Sequence, residues 1–224
     1  MESKWQSVNW LVHSIHDTAL EEVLHQYAHG VLLDIGCGQK PYRVLTEGLV
    51  TAHIGLDHPG SLHSKQQVDI FGTAYETGVA NNSIDTVLCT VVLEHLERPQ
   101  EAINEMYRIL HPGGHVILSA PLFWHLHEEP RDFFRYTKHG LTHLFITSGF
   151  EIIEIKPLSG FVVTFSQELV YFLNRLQRGP LRYPVKILQL LIQQSAFWLN
   201  RWDKSYGFTW AYLVVAQKRI DVPE

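Results

Sequence analysis

The chain has 224 residues, of which 46% are hydrophobic and 18% are charged. These proportions are ordinary for a globular protein, so they exclude a disordered or fibrous chain, and the length predicts a single domain over residues 1–224. A formal net charge of -5 gives no electrostatic reason to bind nucleic acid, so we expect no nucleic-acid partner.

Cysteine usage and hydropathy indicate the compartment. The two cysteines, Cys37 and Cys89, are too few for a disulfide framework or a structural zinc site. The first ten residues lack the pattern of a secretory signal, and no apolar run reaches the length of a membrane span. We therefore expect a cytoplasmic protein.

The first half of the chain begins with a helical pattern and continues with strands. Apolar residues at helical spacing predict an amphipathic helix over residues 5–28, which Gly30 ends. The solid apolar run at residues 31–33, followed by Asp34, is typical of a strand that is covered on both faces. Similar short runs predict six more strands, at residues 51–56, 68–71, 84–89, 115–119, 150–155 and 210–216.

Helical patterns alternate with these strands. The clearest covers residues 99–110, after which the turn formers at residues 111–114 end it, and another covers residues 137–147. Such alternation predicts a Rossmann-like α/β fold with a doubly wound, mostly parallel sheet, whose ligands bind outside the carboxyl ends of the strands. The exit of the first strand is therefore the predicted ligand site.

Residues 158–206 change this pattern and predict a helical insertion. Two long helical stretches, 161–176 and 184–199, are separated by the turn formers at residues 178–180. Six basic residues stand against two acidic ones in the insertion, although the whole chain is acidic. Three roles fit this pattern: a lid, the surface of a homodimer, or a peripheral contact with an anionic membrane at its inner face.

A glycine turn follows the first strand. Gly36 and Gly38 allow the backbone to approach a ligand closely, because glycine has no β-carbon. About 20 residues later, Asp57 stands where nucleotide-binding sheets place an acid for the ribose hydroxyls. Pro41 occupies the position of the third glycine of a dinucleotide site, which disfavours pyrophosphate binding. An adenosine-containing cofactor is thus predicted.

Two segments carry a family resemblance. VLLDIGCG at residues 31–38 and the stretch NNSIDTVLCTVVLEHLERPQEAINEMYRILHPGGHVILSAP at residues 81–121 resemble the class I S-adenosylmethionine-dependent methyltransferases, subgroup type 11. The resemblance is close over residues 31–155 and looser over residues 210–216. It implies S-adenosyl-L-methionine as cofactor and a seven-stranded sheet whose last strand is antiparallel.

The resemblance also implies a set of cofactor-binding residues. The methionine end would be lined by residues of the turn and by two residues after the fourth strand, namely Asp34, Gly36, Cys37, Gly38, Thr90 and Val91. Asp57 would bind the ribose. The family often places an aspartate before the fourth strand to bind adenine, but this chain has Thr73 there. Thr73 is therefore the adenine candidate, with Asp69 as the alternative.

The acceptor side is predicted after the fifth strand. Residues 124–136 resemble the H-x-x-P-x-D-x-x-R-Y-T segment of methyltransferases from bacterial sugar and cell-envelope pathways. His127 and Glu128 are the catalytic candidates there, and His95 is a third by its position after the fourth strand. A salt-bridged loop that caps the next helix explains the remaining polar residues equally well. The histidine spacing is not that of a metal site, so no metal is predicted.

Together these patterns predict a methyltransferase that acts on a small molecule or on a sugar- or lipid-linked precursor, at an oxygen atom. Two alternatives stay open. A noncatalytic binding protein could keep the fold and use the helical insertion to bind a partner, and the Thr73 departure is compatible with this. A nicotinamide-dependent oxidoreductase is the other alternative, and Pro41 argues against it.

Overall fold

The computed structural model describes residues 7–61 and 64–220. Its strands are β1 (Val31–Ile35), β2 (Ala52–Asp57), β3 (Ile70–Phe71), β4 (Ile84–Thr90), β5 (Leu110–Pro121), β6 (Phe150–Pro157) and β7 (Ala211–Lys218). Its α-helices are α1 (Trp10–Tyr27), α2 (Arg43–Thr46), α3 (Pro99–Ile109), α4 (Lys138–Thr147), α5 (Phe161–Asn174) and α6 (Arg182–Leu199). Residues 5 and 6 of the predicted first helix lie outside the described residues.

The strands form one seven-stranded sheet in the order β3-β2-β1-β4-β5-β7-β6. β1 pairs in parallel with β2 on one side and with β4 on the other, so Leu33 stands opposite Ile54 and Val87. The sheet is mostly parallel and ends in antiparallel strands. The predicted Rossmann-like α/β fold is therefore confirmed, and the strand order reverses beside β1, where such sheets bind ligands.

The junction between α3 and β5 differs from the prediction. The helix ends at Ile109, and β5 already begins at Leu110 instead of at residue 115. Leu110 pairs with Ile84, and two positions further along β4 the partner is His115. The turn formers between them thus make an irregularity inside the strand pairing, which local sequence patterns do not reveal.

The described residues divide into two compact units. The larger unit holds residues 20–61, 64–121, 126–156 and 213–220, and the smaller one holds residues 7–19, 122–125 and 157–212. In the larger unit the fully buried side chains of β1, β4 and β5 make the core, among them Leu32, Leu33, Val87, Leu88 and Ile117. This apolar layer explains why the strands read as continuous hydrophobic runs.

The smaller unit contains the predicted helical insertion. Its two long helices, α5 and α6, are tied to the start of the chain by buried glutamines, since Gln193 accepts a hydrogen bond from the Leu11 amide (3.1 Å) and Gln167 donates one to the Val8 carbonyl (2.9 Å). Asp203 accepts from the Val162 amide (2.7 Å) in the first turn of α5. Among the described residues, no helix is long and apolar enough to cross a membrane.

Gly36 gives a test of the turn that follows β1. Its φ is +74°, and a Cβ at this position would lie 2.4 Å from Cγ2 of Val92. Gly48 has a similar φ of +81° but nothing within 4 Å of a Cβ, so Gly48→Ala is the matched control. We expect Gly48→Ala to cost about 1–2 kcal/mol of unfolding free energy for the left-handed backbone. Gly36→Ala should cost about 1–3 kcal/mol more, because its methyl group overpacks the site.

Urea denaturation of the three proteins measures both losses. Equal losses for the two variants would show that Val92 does not restrict the turn.

Candidate active site

A cavity of about 400 Å³ opens at the carboxyl ends of β1, β2 and β4. This volume is within the range of about 300–1,000 Å³ that is usual for small-molecule and cofactor sites. Of the residues predicted from the sequence, seven line it: Gly36, Asp57, Thr73, Thr90, Val91, His95 and Glu128. Residues that the sequence analysis did not select also line it, among them Tyr75, Val92, Arg131 and Phe133.

Four predicted site residues are not part of the cavity wall: Asp34, Cys37, Gly38 and His127. The Asp34 carboxylate is buried 3.1 Å from Nε2 of His53. Burial raises the pKa of Asp34 above its ordinary value and that of the Cys37 thiol to about 12. The Gly38 amide donates to Oδ2 of Asp57 at 3.1 Å. These three turn residues therefore lie behind the wall that the cofactor would touch.

Asp57 is the best-defined acidic group of the cavity. Its Oδ2 accepts the Gly38 amide, and its Oδ1 accepts the His58 amide at 2.7 Å. Two backbone donors fix the carboxylate and stabilise its charge. Each oxygen keeps a second lone pair, so the group can still accept hydrogen bonds from a ligand.

Thr73 lines the cavity, whereas the alternative adenine candidate Asp69 does not. Oγ1 of Thr73 accepts the Glu76 amide at 3.1 Å, which holds the loop before β4. Asp69 accepts the Gly55 amide at 2.7 Å and forms an ion pair with Lys40. Its carboxylate is thus used to join β2 to the turn after β1.

Val91 and Glu128 have strained backbones. Their φ angles are +54° and +50°, values that are rare for residues other than glycine and especially unusual for a β-branched valine. Both residues line the cavity. Strain of this kind persists where the surroundings fix the backbone, and it is concentrated at functional sites.

His95 lies on the cavity wall in a short 3₁₀ helix, Leu93–His95, directly after β4. Its Nδ1 donates to the Arg131 carbonyl at 2.5 Å. Its Nε2 lies 3.9 Å from a carboxylate oxygen of Glu94 and 3.9 Å from one of Glu128. The bond at Nδ1 fixes the tautomer in the neutral ring, so Nε2 is the nitrogen that carries the lone pair.

Glu94 is a functional candidate that the sequence analysis missed. Its carboxylate is fully buried, and neither oxygen has a hydrogen-bond partner among the described residues. Burial raises the pKa of this carboxyl to about 8, although the charge of Arg135 opposes the shift. A glutamate next to a histidine carries no local signal of burial, because the burial depends on segments that are distant in sequence.

The loop at residues 127–136 is held by an ion pair. Arg135 donates to Oδ1 of Asp132 at 2.6 Å, and this bond holds the pKa of Asp132 well below its usual range. Nδ1 of His127 lies 3.3 Å from Oδ2 of Asp132, and the His127 ring packs edge-on against that of His95 with centroids 4.8 Å apart. The predicted salt bridge is therefore present and lies next to His127, but the helix that follows is capped by Thr137, whose side chain accepts the Gly140 amide.

His125, which precedes this loop, belongs to the smaller unit. Its Nδ1 lies 3.2 Å from a carboxylate oxygen of Glu168, and its ring centroid lies 4.2 Å from that of Tyr171. It therefore forms a histidine–carboxylate pair of its own.

The cavity fits S-adenosylmethionine. A β-carbon at Gly36 would collide with Val92, so only glycine leaves the backbone accessible at the exit of β1. The fixed Asp57 carboxylate offers the acceptor that ribose hydroxyls need. Both features lie in one cavity of suitable volume.

Comparisons with known proteins agree with this site. A family model described as "Methyltransferase domain" matches residues 33–118. A "Probable S-adenosylmethionine-dependent methyltransferase" of Mycolicibacterium smegmatis is 29% identical over 149 residues, which cover 61% of this chain and 58% of the relative. A "Ubiquinone biosynthesis O-methyltransferase" of Alkalilimnicola ehrlichii is 32% identical over 105 residues, or 40% of each chain. The chain thus spans less than two thirds of the length of these relatives.

Solved structures support the fold. An S-adenosylmethionine-dependent methyltransferase from Mesorhizobium loti superposes with a TM-score of 0.58 at 17% identity, and the match covers 92% of this chain and 99% of that one. One from Archaeoglobus fulgidus gives a TM-score of 0.57, also at 17% identity, over 92% of this chain and 97% of that one. The chain therefore has the fold of these structures, and its residues 33–118 match a methyltransferase domain.

Proposed function

We propose that this protein transfers the methyl group of S-adenosylmethionine to a hydroxyl oxygen of a small molecule or of a sugar- or lipid-linked precursor. One observation carries this proposal. One cavity is lined by Gly36 and Asp57 and also by His95 and Glu128. A methyl donor and an acceptor can therefore meet in it, which is the main requirement of the reaction.

The cofactor roles follow from the wall of the cavity. Asp57 binds the ribose hydroxyls, and Thr73 lies at the adenine end. Gly36, Thr90 and Val91 line the methionine end. The buried residues behind the wall (Asp34, Cys37 and Gly38) support the turn, and Gly38 does so by orienting the Asp57 carboxylate.

We assign the acceptor roles to Glu128, His95 and His127. When bound, S-adenosylmethionine supplies an electrophilic methyl group on a positively charged sulfur. Glu128 takes the proton of the acceptor hydroxyl as the oxygen bonds to the methyl carbon. S-adenosylhomocysteine would be the neutral product, with the electron pair of the broken carbon–sulfur bond on its sulfur. His95 orients the acceptor, and the His127 ring packs against the His95 ring and holds it in place.

Asp57→Ala tests the cofactor assignment. Loss of the charge-assisted bonds should weaken binding of S-adenosylhomocysteine by about 1–3 kcal/mol, measured by isothermal titration calorimetry. Asp17→Ala is the control, because Asp17 is a half-exposed acid of α1 that does not line the cavity. Equal weakening by both variants would contradict the ribose role of Asp57.

The same titration tests the two alternative functions. A noncatalytic scaffold predicts no measurable binding of S-adenosylmethionine or S-adenosylhomocysteine, and a nicotinamide-dependent oxidoreductase predicts binding of a nicotinamide dinucleotide instead. Binding of S-adenosylmethionine and S-adenosylhomocysteine, with no binding of the dinucleotide, supports the methyltransferase function. The reverse pattern would overturn it.

We further propose that the smaller unit contacts an anionic membrane at its cytoplasmic face and so reaches a lipid-linked acceptor. Large apolar side chains of α5 and α6 are exposed, with Phe172 at 61% and Leu191 at 62%. Exposed basic residues accompany them, including Arg175, Arg178 and Arg182. Apolar and basic residues together are typical of interfacial helices. Two relatives are named for ubiquinone biosynthesis, which supports a lipid-like acceptor.

Liposome flotation tests this contact. The protein should float with anionic vesicles and not with zwitterionic ones, and Phe172→Ser should reduce the floating fraction several-fold. Ile146→Ser is the control, because Ile146 is an apolar residue of the larger unit with a similar exposure of 59%. If the protein does not float with anionic vesicles and light scattering shows a stable homodimer, the surface serves dimerisation instead.

A further inference from the structure

We propose that Glu94, His95 and His127 bind a divalent transition-metal cation beside the cofactor cavity, with zinc as the best match. One ligand atom from each residue can be chosen so that all three lie within 4.8 Å of one another. No metal was predicted from the sequence, because these three residues do not have the spacing of a metal-binding motif and come together only in the folded chain.

The environment of the Glu94 carboxylate indicates a cation-binding site. Both of its oxygens are buried and lack a hydrogen-bond partner among the described residues. A carboxylate is costly to bury unless a charge or hydrogen bonds compensate it. Its Oε1 lies 3.9 Å from Nε2 of His95, so the oxygen and the nitrogen approach the same small volume. A cation in that volume would supply the missing partner.

His95 is oriented as a metal ligand is, and His127 lies beside it. A ligating histidine usually donates its other ring N–H to a carbonyl or carboxylate, which fixes the ring and its tautomer. Nδ1 of His95 donates to the Arg131 carbonyl at 2.5 Å, and Nδ1 of His127 lies 3.3 Å from the Asp132 carboxylate. The His95 ring therefore presents Nε2 as its basic nitrogen, and the His127 ring, with its centroid 4.8 Å from that of His95, offers a second imidazole.

Backbone contacts hold this cluster in place. The Glu94 carbonyl accepts the Phe133 amide at 2.9 Å and the Phe134 amide at 3.2 Å, and the Tyr136 hydroxyl donates to the Leu93 carbonyl at 3.0 Å. The 3₁₀ turn that carries two of the ligands is thus fastened to the loop that carries the third. A fixed arrangement lowers the cost of organising a site when the cation arrives.

The ligand set and the local charge favour zinc. Two imidazoles and one carboxylate are a known set for catalytic zinc, in which a fourth position stays open for water or substrate. Glu128 adds a second carboxylate, 3.9 Å from Nε2 of His95. Arg135 is paired with Asp132, so the carboxylates of Glu94 and Glu128 are the acidic groups beside His95.

The cation would also give the acceptor side a defined role, and this step rests on the proposed methyltransferase function. His95 lies on the cavity wall, so an acceptor hydroxyl in the cavity can reach the open position of the cation. Coordination lowers the pKa of a bound hydroxyl. With the cation bound, Glu128 would take the proton of that hydroxyl, which would then be the stronger nucleophile for the methyl carbon.

Zinc titration of the chelator-treated full chain tests the site. Isothermal titration calorimetry should show one high-affinity site, and Co²⁺ should give the visible absorption of a bound low-symmetry ion. Glu94→Gln keeps the size of the side chain but removes its charge, and it should weaken zinc binding by more than about 100-fold. This exceeds the loss of about 10–100-fold that is usual for a residue that merely orients a ligand.

His125→Gln is the matched control, because His125 also stands beside a carboxylate but lies outside the cluster. It should bind zinc as the original protein does. No zinc site in the original protein, or equal affinity in Glu94→Gln, would overturn the metal assignment, as would loss of binding in His125→Gln. Titration with S-adenosylhomocysteine in the presence of chelator keeps the two hypotheses distinguishable, since it reports cofactor binding without any metal.

Discussion

The turn after β1 is the constraint on which the cavity depends. The amides of Gly36 and Cys37 both donate to the Leu56 carbonyl, at 2.8 and 3.1 Å, and the Gly38 amide donates to Asp57. Three successive amides thus join the exit of β1 to the end of β2. Asp57, which we propose binds the ribose, is therefore positioned by the same turn that leaves the cavity open at Gly36, a residue with a positive φ.

Sequence patterns predicted the fold because both faces of the sheet are covered. Most residues of strands such as β1 and β4 are buried, so each strand contains a short apolar run. Boundaries were less accurate where pairing between distant segments decides them. β5 begins at Leu110 because that residue pairs with Ile84 across the sheet, and nothing in the local sequence of turn formers indicates such a partner.

The site was predicted in the parts that depend on local motifs. Gly36 and Asp57 lie at fixed positions relative to predicted strand ends, so their place in the cavity follows from topology alone. Glu94 was missed because its burial depends on a loop almost 40 residues later in the chain, whose amides at Phe133 and Phe134 bind its carbonyl. His127 was selected for its motif, but the structure places it against the His95 ring and outside the cavity wall.

Several features that lower the stability of the fold lie after β4 and in the loop at residues 127–136. Val91 and Glu128 have strained backbones, and the Glu94 carboxylate is buried without a hydrogen bond. Each costs free energy of folding, of the order of 1–3 kcal/mol for a strained residue, so the surroundings must offset it. The Asp132–Arg135 ion pair and the bond from Tyr136 to Leu93 lie next to these groups. A region that lowers the stability of the fold and is nevertheless held rigidly is characteristic of a functional site. A sequence optimised for stability alone would not retain the strained residues.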